Sequence, residues 1–353
     1  MPNKVAIILG NYKDYAERYL GDCLRGIERQ NYQDEIKVFI FDNETSPKSF
    51  ETLSRMAPQA ELILNKNNDG FAKGNNDAMK LALAQSFDYI FLLNMDTIID
   101  ENCVTEMIKA IDSDKKIGAV QALLLLHPET DKINSIGNTT HFLGFGYSDG
   151  YRELLIDHKL SNREIHYPSG AAVMFQRHTL ETIGLFDEEL WMYNEDQDIG
   201  WSLWLAGFKC VLAKDAIVYH KYEFSRSITK HYWMDRNRLI VIFKNYHWLT
   251  LILILPALMV MEFGLILFSL KSGWFSEKKK VWQYFLRVST WGYLWRARQK
   301  TQQLRKVGDN KIIDLIVGRI WYQEIEDWKL KIMNPVFDLY WQIIKALIKL
   351  FQV

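Results

Sequence analysis

Along the first hundred residues, short apolar runs alternate with longer mixed stretches. Residues 4–11 (KVAIILGN), 36–42 (IKVFIFD), 60–65 (AELILN) and 89–94 (YIFLLN) are short and apolar enough for buried strands. The segments between them have helical length, as in residues 76–85. Strands alternating with helices predict βαβ units and a mostly parallel sheet, an α/β fold. Open sheets of this kind bind ligands beyond the carboxyl ends of their strands. Each run here ends in polar chemistry: Asn11, then Asp42 with Asn43, then Asn65, then Asn94 with Asp96. These polar residues are expected to converge on one edge.

From residue 118 the pattern is mixed. Residues 118–126 predict a buried strand, 127–150 a loop rich in Gly, Asn, Thr and Ser, and KCVLAKDAIVYHK a strand ending at His220. Residues 167–175 (YPSGAAVMF) are apolar and small. The last third differs again. Residues 249–270 are almost wholly apolar, about 33 Å as a helix, and contain Pro256. Both flanks are basic: Arg236, Arg238 and Lys244 precede, and residues 271–300 hold eight Lys or Arg against one Glu. Symmetric basic flanks and six Trp and Tyr residues between 274 and 295 predict a re-entrant hairpin bent near Pro256, or interfacial helices. From Pro335 the chain predicts another amphipathic surface helix.

Composition narrows the classes. A net charge of zero over 353 residues gives no sign of nucleic acid as a partner. The three cysteines, Cys23, Cys103 and Cys210, lack metal spacing and suggest free thiols in a reducing compartment. The opening apolar run is too short for a secretory signal, which points to a cytoplasmic N-terminal half. A dinucleotide-binding domain would need closely spaced glycines in its first turn, and GNYKDYAERYLG has none.

Residues 191–208 (WMYNEDQDIGWSLWLAGF) place Glu195, Asp196 and Asp198 at the start of a predicted helix, among tryptophans. A helix N-terminus stabilises carboxylates, and acids beside Trp and Tyr form a common sugar-binding surface. An ordinary capped helix explains the same acids.

Taken in order, VAIILGNY, FIFDNETS, NKNNDGFAKGNNDAM, FLLNMDT, the block from YPSGAAVMF to AIVYH, and WMDRNRLIVIFKNY resemble the inverting family 2 glycosyltransferases over residues 4–250. The likeness is to the rhamnosyltransferase-like branch with a membrane-associated C-terminus. It implies a GT-A type nucleotide-diphospho-sugar transferase fold over residues 1–245, followed by a helical membrane-associated region over 246–353. Asp42 would read the imide N–H of uracil or thymine. Asn11, Asn43, Gly70, Lys73 and Asn76 would wrap the nucleotide, with Lys73 reaching phosphate. The family's Asp-any-Asp motif reads Asn94-Met95-Asp96 here, so Asp96 with His220 would hold Mn²⁺ or Mg²⁺ and Asn94 would bind more weakly. Asp196 would be the general base, with Gly170, Trp191, Tyr193 and Glu195 against the sugar or acceptor. Arg236 would clamp the diphosphate or meet lipid headgroups. The processive Gln-any-any-Arg-Trp motif is absent, which favours addition of one or a few sugars.

The resemblance therefore implies a metal-assisted inverting glycosyltransferase at the cytoplasmic face of a membrane. It would move rhamnose or a hexose from a dTDP- or UDP-sugar to a lipid-linked or cell-envelope saccharide. A catalytically silent scaffold of an envelope polysaccharide assembly complex is the other expectation.

Overall fold

The computed structural model describes residues 3–222, 229–321 and 328–352. They form two compact units. The first comprises residues 1–138, 148–203 and 208–223, and the second 139–147, 204–207 and 224–353.

The first unit opens with β1 (Val5–Tyr12), α1 (Tyr15–Glu28), β2 (Ile36–Asn43), α2 (Pro47–Met56), β3 (Glu61–Asn65), α3 (Gly70–Ala84) and β4 (Tyr89–Leu93). The alternation expected from sequence is present, and β4, β1, β2 and β3 are parallel neighbours in that order. β5 (Thr97–Ile99), α4 (Cys103–Ile111), β6 (Ile117–Leu126) and β7 (Ile133–Ser135) follow. After β8 (Asn138–His141) and β9 (Gly146–Ser148), the unit closes with β10 (Arg163–Ile165), β11 (Ala172–Gln176), α5 (Arg177–Ile183), α6 (Glu195–Leu205) and β12 (Lys209–His220). The sheet order is β10-β12-β6-β11-β4-β1-β2-β3, with β11 antiparallel between β6 and β4. All ten positions of β6 are buried, as a strand covered on both faces requires.

Register brings the polar strand ends level: Asn11 lies beside Asp42, and Asn43 beside Asn65. Behind them the Phe41 ring fills the space that a Cβ on Gly10 of β1 or Gly74 of α3 would need. The stretch 127–150, expected as loop, instead contains β7, β8 and β9. Their polar side chains bond to one another, as where Ser135 Oγ donates to Asn138 Oδ1 at 3.0 Å, so they carry no apolar signal.

The second unit holds β8, β9, α7 (Thr229–Asn245), α8 (Trp248–Lys271), α9 (Phe275–Phe285), α10 (Val288–Leu304), β13 (Ile316–Val317) and α11 (Trp328–Phe351). Two expectations need correction. No hairpin forms at Pro256: α8 is one continuous 24-residue helix. Proline removes the bond its N–H would make to the Ile252 carbonyl, and both residues lie on the exposed face where the helix has room to relax. Pro335 does not begin the last helix but sits inside α11. Within the second unit α7 packs on α9 and α10.

Candidate active site

The residues expected on the nucleotide side form an ordered hydrogen-bonded edge. Asp42 has no exposed surface: Oδ1 accepts from Asn11 Nδ2 and Oδ2 from Ser49 Oγ, each at 2.7 Å. Asn11 Oδ1 in turn accepts from the Ala16 N–H at 2.8 Å, fixing the start of α1. An imide N–H would reach the Asp42 carboxylate only by using a second lone pair or displacing Ser49. Asn43 Nδ2 donates to the Gly70 carbonyl at 2.9 Å. Lys73 is paired with Asp77 at 2.5 Å and Asp69 at 3.4 Å. The Asn76 amide is spent on the 186–188 segment, donating to the Phe186 carbonyl and accepting from its N–H at 3.0 Å. Asn76 thus holds a loop, and Lys73 reaches phosphate only by leaving its carboxylates.

Asp96 and His220 come together as the resemblance implies. Thr97 pairs with His220 across β5 and β12, which places His220 Nε2 3.3 Å from Asp96 Oδ1. His220 Nδ1 faces Asn134 Oδ1 at 2.9 Å and must donate to it. In the neutral ring Nε2 is then a lone pair aimed at a carboxylate oxygen. Asp96 Oδ1 is buried and lacks an aligned hydrogen bond despite that approach. With a neutral ring two acceptors face each other, which suits a shared cation, since a carboxylate plus an imidazole is a donor set that Mn²⁺ accepts; with a protonated ring the same approach is an ion pair. Burial pushes Asp96 up, but His220 and the Tyr15 hydroxyl outweigh it and hold the group below the ordinary carboxylate range. Among the described residues no third His, Cys, Asp or Glu joins them. Asn94, half-buried on the same loop, has its backbone N–H on the Ala171 carbonyl at 2.9 Å.

The acidic segment is strained before it is helical. Met192 N–H donates to the Leu190 carbonyl at 2.6 Å around Trp191, at φ 59° and ψ −58°, a γ-turn of the uncommon positive-φ kind. Tyr193 and Asn194 also have positive φ, 68° and 66°. This coil delivers Glu195, Asp196 and Asp198 to the first turn of α6. Asp196 is half-buried; Oδ1 accepts from Gln197 N–H at 2.8 Å and Oδ2 from Gly170 N–H at 3.3 Å. Burial pushes Asp196 up to about 6, against those backbone donors. Glu195 is driven well above the carboxylate range by burial and then by Asp196, and its Oε2 is buried without a partner. Consecutive residues therefore join the two centres: Gly170 holds Asp196, and Ala171 holds the Asn94 loop.

Trp191 also seats the start of α3. Its carbonyl accepts from Ala72 N–H at 3.1 Å, and its indole lies over Gly70. Gly70 has φ +82°, and a Cβ there would stand 2.5 Å from Trp191 Cδ1 and from its carbonyl oxygen. Gly70→Ala is expected to destabilise the protein by roughly 1–3 kcal/mol, read from the urea midpoint. An unchanged midpoint would mean that the Trp191 turn yields freely.

Arg236 lies in the second unit, where its guanidinium stacks on Trp233 (4.5 Å), Tyr284 (4.8 Å) and Tyr232 (5.5 Å) and donates to Asn237 Oδ1. Sequence reasoning missed Tyr15, Ser49 and Asn134, which orient Asp96, Asp42 and His220. Each is a common polar residue whose only signal is its three-dimensional neighbour.

Comparison with known proteins identifies the fold and the family. The poly-β-1,6-N-acetyl-D-glucosamine synthases of Staphylococcus aureus strains are 25% identical over 193 residues. That match covers 53% of this chain and 43% of theirs, so the chain spans less than half the length of these relatives. S. aureus TarS 1–349 solved with UDP has a TM-score of 0.50 at 16% identity, covering 97% of this chain and 90% of that one. GalNAc-T7 solved with UDP, GalNAc and Mn²⁺ has a TM-score of 0.54 at 12% identity, covering 69% and 48%. These likenesses show the GT-A fold. The model for glycosyltransferase like family 2 matches residues 2–239, and with that the chain belongs to this family of sugar-transferring enzymes.

Proposed function

We propose that this glycosyltransferase moves a sugar from a UDP-sugar to a hydroxyl of a cell-envelope saccharide, by a single displacement with inversion, at a membrane surface. The observation that carries the reading is Asp196, held by Gly170 one residue from the segment that holds the Asn94–Asp96 loop. Asp196 takes the proton of the acceptor hydroxyl as its oxygen bonds to the anomeric carbon. The bond from that carbon to the nucleotide diphosphate breaks on the opposite face, and UDP departs with the electron pair. A carboxylate raised towards neutrality is well matched to this task, ionised at pH 7 yet basic enough to accept a proton. Asp96 and His220 would hold Mn²⁺ or Mg²⁺, whose charge would offset that of the leaving diphosphate. Glu195, Trp191 and Tyr193 are placed to shape the acceptor side.

The donor class is supported by neighbours solved with UDP and with UDP-GlcNAc. The envelope acceptor is supported by relatives named for a polysaccharide synthesis. The test is release of nucleoside diphosphate from UDP-, dTDP-, GDP- and ADP-sugars with Mn²⁺ and a membrane lipid extract. Turnover strongest with a UDP-sugar is expected. A dTDP-sugar preference would move the donor to the rhamnose side, a purine donor would overturn the pyrimidine reading, and silence with every donor would favour a scaffold.

A further inference from the structure

Helix α8 has two faces with different surroundings. Ile252, Leu255, Met259, Phe263, Leu267 and Leu270 recur at spacings of three and four and are all exposed, forming one stripe from the first turn to the last. The opposite face is covered at Thr250, Ile254, Ala257, Met261 and Ser269. Thr250 Oγ1 donates to Asp309 Oδ2 at 2.6 Å, the Leu253 carbonyl accepts from the Tyr340 hydroxyl of α11 at 2.6 Å, and Ala257 and Met261 are buried. Glu262, the one charged residue of the apolar stretch, is half-buried on the flank turned towards α7 and α9. Its Oε2 accepts from Lys278 Nζ of α9 at 2.6 Å and its Oε1 pairs with Arg238 of α7. Both cations also hold Asp235, each at 2.7 Å, so two positive and two negative charges close on one another.

This cluster limits how α8 meets lipid. A spanning helix is surrounded by hydrocarbon or apolar protein over about 30 Å. Here the covering helix α9 carries Glu277, Lys278, Lys279 and Lys280 in succession, with Lys279 and Lys280 exposed. If α8 crossed a bilayer, its ion-paired partners would follow it in. α11 repeats the design, exposing Ile332, Val336, Leu339, Ile343 and Leu350 while burying Phe337, Trp341, Ile344 and Ile348. Exposed Trp282, Trp291 and Trp295 and the basic excess of residues 271–300 match an anionic headgroup layer.

We propose that α8 and α11 lie flat at the headgroup–acyl boundary of an anionic bilayer, and that the Asp235–Arg238–Glu262–Lys278 cluster keeps α8 in that plane instead of letting it cross. The inference rests on the membrane reading above, and the two fail differently. The test uses the full chain with single cysteines at Trp248→Cys, Met259→Cys or Lys271→Cys, the native cysteines being buried. A membrane-impermeant maleimide is applied to intact cells and to inverted vesicles made from them. Both helix ends are expected to label from the cytoplasmic side only, with Met259→Cys shielded until detergent is added. Labelling of the two ends from opposite sides would overturn the in-plane arrangement and leave membrane attachment standing. Failure of the purified protein to sediment with phosphatidylglycerol vesicles would overturn both. The double variant Met259→Asp with Phe263→Asp, at exposed positions, is expected to weaken that sedimentation by about tenfold or more with an unchanged thermal midpoint. Undiminished sedimentation would remove the stripe as the contact.

Discussion

Asp196→Asn is expected to lower turnover by about a hundredfold to ten-thousandfold while the protein stays folded. The amide keeps an oxygen for the Gly170 or Gln197 N–H but cannot take a proton from an acceptor hydroxyl. Stability is expected to move the other way. The folded state raises this carboxyl from 3.8 to about 6, so it favours the protonated form. The stabilisation this gives is complete below the unfolded value and is lost as pH rises through about 6. At pH 8 the wild type bears an ionised, half-buried carboxylate that the Asn variant lacks, and the variant is expected to unfold at an equal or higher temperature. The pH profile supplies an independent check. A base must be ionised, so wild-type turnover should rise through about pH 6 and level off. A profile that falls over that range would make Asp196 an acid, and a variant that is both inactive and unstable would make it a structural cap.

Asp96→Ala is expected to cost on the order of a hundredfold in turnover and to remove Mn²⁺ binding, followed by the electron paramagnetic resonance signal of Mn²⁺ with donor-free protein. His220→Ala should weaken the same binding by about tenfold to a hundredfold. The prediction rests on an aspartate oxygen and an imidazole nitrogen 3.3 Å apart, with the opposite ring nitrogen committed to Asn134. Retained Mn²⁺ binding in Asp96→Ala, with circular dichroism unchanged, would leave the pair as a strand-end contact between β5 and β12.

The sheet was legible because its strands are short apolar runs ending in Asn or Asp, a pattern that needs no tertiary knowledge. The pairing of Asp96 with His220 was reachable only through resemblance, since residues 124 positions apart meet by the β5–β12 register. The strands between 133 and 148 escaped notice because polar side chains satisfy one another there and leave no period-two alternation. Asn76 and Lys73 show a related limit. A motif places them beside a nucleotide, while their present partners are the 186–188 segment and two aspartates. Pro256 misled because proline's cost depends on which face it occupies, which a linear sequence does not display.

The Phe41 ring has an effect on the shape of the catalytic unit beyond its share of the core. It occupies the room of two absent Cβ atoms, on Gly10 and Gly74, so one aromatic thickness sets the distance between the sheet and the helix that begins at Gly70. The depth of this strand edge, the proposed nucleotide side, is therefore governed by three residues that share a single volume. Enlarging any one of them lifts α3 unless another shrinks, so the donor side is gauged from beneath.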